Sequence, residues 1–184
     1  METRSPFCTA ILTGACIANS PDNSESTSIA TKHVPAVRIL CLGNELLADD
    51  SLGCVAANHL QPLASPEVEI ISTSESGVHL LDYVLGVRRL VVIDAVQRGM
   101  PPGTIHEFHE NELQSVGGGS PHYIGLLETL TLARHLGLPV AEEITILTVE
   151  AADCLTLGGA LHPRVSAAIP VLTGMVRDVI RATP

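Results

Sequence analysis

Three side chains combine a reactive type with a position where chemistry is done. Asp50 ends the doubled aspartate of "CLGNELLADDSLG", Asp94 interrupts the apolar run "LVVIDAV", and His122 follows the glycine-rich "SVGGGSPH". Two carboxylates and an imidazole form a mixed oxygen and nitrogen donor set suited to a divalent ion such as zinc or nickel, with positions left open for a substrate. Each residue also has a plainer reading. An aspartate in an apolar strand is expensive to bury alone, but Asp94 can instead cap the amides of the loop that follows. Asp49 and Asp50 both suit a helix start, where one acid serves as cap and leaves the other available. His122 can be a solvent-exposed residue of a first helical turn.

The elements that must position these groups are legible as alternating apolar runs. Strands are predicted over residues 36–42, 68–73, 89–95, 104–108 and 143–150, and helices over 50–61, 77–85, 121–136 and 163–181. The runs "VEIIST", "LVVIDAV" and "ITILTV" are nearly continuous in apolar residues, as strands covered on both faces are. The implied fold class is α/β, a three-layer α/β/α arrangement with a twisted, mainly parallel five-stranded sheet. In such sheets ligands gather outside the carboxyl ends of the strands, where connections diverge. Asp50 and Asp94 fall at such ends, and His122 opens the third helix. That helix is punctuated by Ser120 as N-cap, Pro121 in the first turn and Gly137 as its stop, with Leu126, Leu127, Leu130 and Ala133 as its buried stripe.

Composition narrows the classes. Apolar residues make up 46% of the 184 positions but aromatics only 2%, so the core is aliphatic. Twenty acidic residues against 10 Lys and Arg give a formal charge of −10, with no basic stripe, so nucleic-acid binding is excluded. Five cysteines without a C-x-x-C pair fit a reducing cytoplasm better than a disulfide framework or structural zinc. The run "FCTAILTGACIA" falls short of the ~20 residues needed to span a bilayer. The preceding "METRSP" has Glu2 beside Arg4 and so lacks the basic start of a signal peptide. Residues 1–33 are therefore read as a poorly ordered extension and linker, and 34–184 as one domain. No H-E-x-x-H, G-x-S-x-G, Walker A or G-x-G-x-x-G motif occurs. Cys41 and Cys54 look like core positions, His106 and His109 like surface residues of an edge strand, and Asn44 either forms a turn or orients a substrate backbone. Glu150, at the end of the last strand, is a weaker candidate for lining the cleft.

In order and spacing, "RILCLGNELLADDSLG", "VVIDAVQRGMPPGTIHEF", "SPHYIGLLETLTLARHLGLP" and "ALHPRVSAAIPVLTGMV" resemble the hydrogenase maturation endopeptidases, the proteases that trim the large subunit of [NiFe] hydrogenases. The likeness covers roughly residues 37–180. It implies a hydrolase that removes a C-terminal peptide from the large-subunit precursor after nickel insertion. It also implies metal binding and catalysis by Asp50, Asp94 and His122, the groups that the topology singles out, which leaves Asp49 as the helix cap. The nickel would arrive with the precursor, other divalent ions being able to take the site in isolated protein. The expected molecule is a cytoplasmic monomer whose partner is that precursor, with no membrane or nucleic acid involved. The metal would either act in the chemistry or serve recognition alone. Two departures fall in the first loop: Cys41 and Ser51 stand where the family commonly has glycine. A rival reading is a non-catalytic α/β metal- or peptide-binding scaffold acting in metallocentre assembly.

Overall fold

The protein is described by a computed structural model covering residues 34–109 and 121–182. Ser120, the "GGG" loop and the expected extension over 1–33 lie outside these residues. The compact unit His33–Pro184 contains every element described. Five strands, β1 (Val37–Leu42), β2 (Val68–Thr73), β3 (Arg89–Val96), β4 (Ile105–His109) and β5 (Glu143–Glu150), form one sheet in the order β2-β1-β3-β5-β4. All pairings are parallel except that of β4 with β5. This is the expected fold class, and the strand bounds differ from the sequence reading by at most a residue at either end.

The helices are α1 (Leu52–Leu60), α2 (Leu81–Val84), α3 (Pro121–His135) and α4 (Pro163–Arg181). Alternation along the strands sends successive side chains to opposite faces. Val37, Ile39, Cys41, Val91, Ile93, Leu147 and Val149 join residues of α1 and α4 in one core. Leu40, Leu42, Leu90, Val92, Ile144 and Ile146 join residues of α2 and α3 in the other. A fully buried aliphatic side chain contributes roughly 1.5–3 kcal/mol, so two mainly aliphatic layers hold the sheet between the helices, with Tyr83 and Phe108 half-buried against the second.

Helix α3 stops where the sequence says it should. Gly137 takes φ +66°, and Leu138 N–H returns to the Ala133 carbonyl at 2.9 Å, a left-handed stop that a side chain would oppose. Leu126, Leu130 and Ala133 are buried as expected, while Leu127 is half-buried. Among the described residues no helix is long and apolar enough to cross a membrane.

Candidate active site

Strand order places the site. From β1 the chain passes through α1 to β2 on one side, then through α2 to β3 on the other. The carboxyl ends of β1 and β3 therefore flank the point where connections diverge, the usual ligand crevice of an open α/β sheet. Asp50 follows β1 in a one-turn 3-10 helix, Asp49–Ser51, and Asp94 lies near the end of β3.

The doubled aspartate divides into two jobs, although not as a helix cap and a ligand. Asp49 makes no side-chain cap for its own helix, which corrects its reading as N-cap. The residue is 1% exposed, and its carboxylate holds the distant loop between β5 and α4. Oδ2 accepts from Ala152 N at 2.7 Å and Asp153 N at 3.0 Å, and Oδ1 from His162 N at 2.6 Å. Asp50 points elsewhere. Its Oδ2 accepts from Asn44 N at 2.9 Å and lies 3.8 Å from His122 Nε2.

The loop tolerates both of its departures from the resembled pattern. Cys41 is a fully buried core residue of β1, and burial pushes its thiol up to about 12. Ser51 has ordinary helical backbone angles and donates Oγ to the Ala48 carbonyl at 2.6 Å, so glycine is not required there. Gly43 is the position that cannot change, because at φ +150° a Cβ would collide with the Asp50 carbonyl oxygen. Asn44 is a turn former: its Oδ1 accepts from Leu46 N at 3.0 Å.

His122 is presented by the first turn of α3, with its side chain 13% exposed. Its ring is oriented by Nδ1–H donating to the Glu75 carbonyl at 3.0 Å. In the neutral ring this leaves the Nε2 lone pair facing Asp50, the tautomer a metal or proton donor requires. The Asp50 carboxylate is the largest cause of a raised His122 pKa; burial opposes it, and Asp94 and the Glu75 carbonyl add to it. The structure thus brings Asp50 and His122 into contact and puts Asp94 within electrostatic reach of His122. Among the described residues no group of three or more His, Cys, Asp or Glu is arranged to hold a metal ion.

Two residues lie nearby whose parts the sequence did not disclose. Cys154 has its pKa pushed up to about 12, first by burial and then by the carboxylates of Asp50, Asp49 and Asp94. A thiol so held is protonated and no nucleophile at neutral pH, and the same field favours a cation. Glu150, 1% exposed, spends Oε1 on the backbone N–H groups of Arg98, Gly99 and Met100, at 2.6, 2.7 and 3.1 Å. That carboxylate builds the loop after β3. His106 is only half a surface residue, since its Nε2 is buried; His109, by contrast, is exposed as expected.

Comparison with known proteins agrees with this architecture. The HycI hydrogenase maturation protease family model matches residues 54–179. The hydrogenase expression/formation protein HupD of Thiocapsa roseopersicina is 32% identical over 136 residues, 71% of this chain and 61% of that relative's length. HupD of Rhizobium leguminosarum bv. viciae is 30% identical over 153 residues, 80% of this chain and 75% of its own. Among solved structures, the hydrogenase maturating endopeptidase HybD from E. coli superposes with a TM-score of 0.71 at 25% identity, covering 79% of this chain and 92% of that one. By its matched span, its relatives and its fold, this chain belongs to the hydrogenase maturation protease family, a family of peptide hydrolases.

Proposed function

We propose that this protein is an endopeptidase that removes the C-terminal peptide of a [NiFe] hydrogenase large-subunit precursor after nickel has been inserted. In this reading it recognises the nickel on the substrate through Asp50, Asp94 and His122. The observation that carries the proposal is the Asp50–His122 pair. A buried carboxylate and an imidazole with its Nε2 facing inward meet 3.8 Å apart at the divergence of β1 and β3.

The nickel is part of the substrate, held by the precursor's own cysteines. Ligands added by the enzyme complete a coordination sphere that neither protein fills alone, so a precursor without metal lacks the group that docks it. A complete tetrahedral site on the enzyme would retain its own ion and lose that discrimination. The carboxylates that add to burial in raising the Cys154 pKa also favour a cationic centre. The protein acts as a cytoplasmic monomer on this one class of partner, without nucleic acid or membrane.

The test is cleavage of purified precursor, nickel-loaded against nickel-free. Only the loaded form is expected to shorten. Equal cutting of both sinks the nickel-reading mechanism, and binding without any cutting favours the non-catalytic scaffold.

A further inference from the structure

The sheet carries a polar row that the three site residues do not account for. In the strand register Asp94 of β3 is paired with Thr148 of β5, and Thr148 with His106 of β4. Paired residues project to the same face. Here it is the face of Leu90, Val92, Ile144 and Ile146, covered by α2 and α3, the helix that presents His122. Thr148 is 1% exposed, and among the described residues its Oγ1 is buried without a hydrogen bond; His106 Nε2, on the next strand, is in the same condition. A buried hydroxyl without a partner opposes folding. Valine has nearly the same shape and the same preference for strands, and it would continue the aliphatic layer at position 148. The hydroxyl therefore serves something other than packing. Both unsatisfied atoms are shielded from bulk solvent, which fits one or a few enclosed waters better than direct contact with a peptide.

We infer that Thr148 is a positioning residue of the active site: its hydroxyl and His106 Nε2 hold an ordered water that hydrogen-bonds the Asp94 carboxylate and fixes it toward His122. The inference rests on the reading of Asp94 as a site residue and adds what aims it. Because the register sets Asp94 beside Thr148, one water spans the gap between neighbouring strands and reaches both. Loss of the hydroxyl removes one of the contacts that orient Asp94, which slows the reaction without loosening the core.

Two measurements on the full chain test it. In the first, Thr148→Val and Thr148→Ser are compared with wild type for melting temperature and for the rate of processing nickel-loaded precursor. Thr148→Val is expected to be as stable as wild type or more so, yet roughly tenfold slower, the size of effect that loss of one orienting hydrogen bond produces. Thr148→Ser, which keeps the hydroxyl, should restore most of the rate. Wild-type rate in Thr148→Val overturns the inference, as does a serine variant as slow as the valine one. The second measurement does not depend on cleavage. A crystal structure resolving ordered solvent should show a water between Thr148 Oγ1 and the Asp94 carboxylate that is lost in Thr148→Val. If that water is missing from wild type, the inference fails even where the enzyme cuts; if wild type cuts no precursor, the protease reading falls and the solvent structure alone decides the role of Thr148.

Discussion

The two faces of the sheet are alike through most of their depth and differ at the carboxyl end. On the side of α1 and α4 the central strands β3 and β5 end on apolar residues, with Ala95, Val149 and Ala151 all buried in one core. On the side of α2 and α3 the aliphatic layer gives way to Asp94, Thr148, Glu150 and the inward nitrogen of His106. One face is thus a structural surface throughout. The other is a structural surface that becomes a polar floor where α3 brings His122 over it. The doubled aspartate repeats the contrast within two residues. Asp49 is saturated by three backbone donors, whereas Asp50 gives one oxygen to Asn44 N and keeps it within reach of His122. Polar groups satisfied by the fold report architecture, and those the fold leaves aimed at one another report function.

The strongest way to break this contrast is to remove a group from the functional face. Asp94→Ala and His122→Ala are each expected to lower processing of nickel-loaded precursor by about a thousandfold or more, equivalent to about 4 kcal/mol of transition-state stabilisation. Circular dichroism should remain that of the folded protein. Normal processing by either variant removes that residue from the site.

Next in size is the structural aspartate. Asp49→Ala strips three backbone N–H groups of their buried acceptor and should cost about 3 kcal/mol in denaturant unfolding. Asp50→Asn should lose well under half as much stability while losing most of its activity. Equal stability losses in the two variants would erase the division of labour.

A mirrored pair of substitutions compares the two faces directly. Val149→Thr puts a hydroxyl into the apolar core and should destabilise by about 1–3 kcal/mol, whereas Thr148→Val, one residue away on the opposite face, should not destabilise at all. Melting curves that fall equally for both would show the faces to be energetically equivalent.

The smallest effect is on pH dependence. The His122 pKa is raised in the folded protein, with Asp50 the first cause. Its charged pair therefore stabilises the fold fully below the ordinary histidine pKa of about 6.5, and that contribution is lost as pH rises through the higher folded value. The stability gap between wild type and His122→Gln should be widest near pH 6 and close toward alkaline pH. A gap that widens on the alkaline side reverses the sign and removes the Asp50 pairing as its cause.

The amino-acid sequence by itself determined the elements. Aliphatic runs and turn residues are local properties, so all five strands, the stop of α3 at Gly137 and the three-layer class were legible before any coordinates. The same runs drew attention to Asp94 because an acid among them is costly to bury, and topology drew attention to Asp50 and His122. Tertiary structure alone decided what depends on partners distant in the chain. Asp49 reads as a helix cap until its carboxylate is found on the backbone of residues 152, 153 and 162. Glu150 reads as a residue lining the cleft until its oxygen is found building the loop at residues 98–100. Thr148 reads as an ordinary strand residue until the register sets it beside Asp94. Hydrophobic period is set by immediate neighbours, but which polar atoms are satisfied is settled only when strands pair and loops close over them.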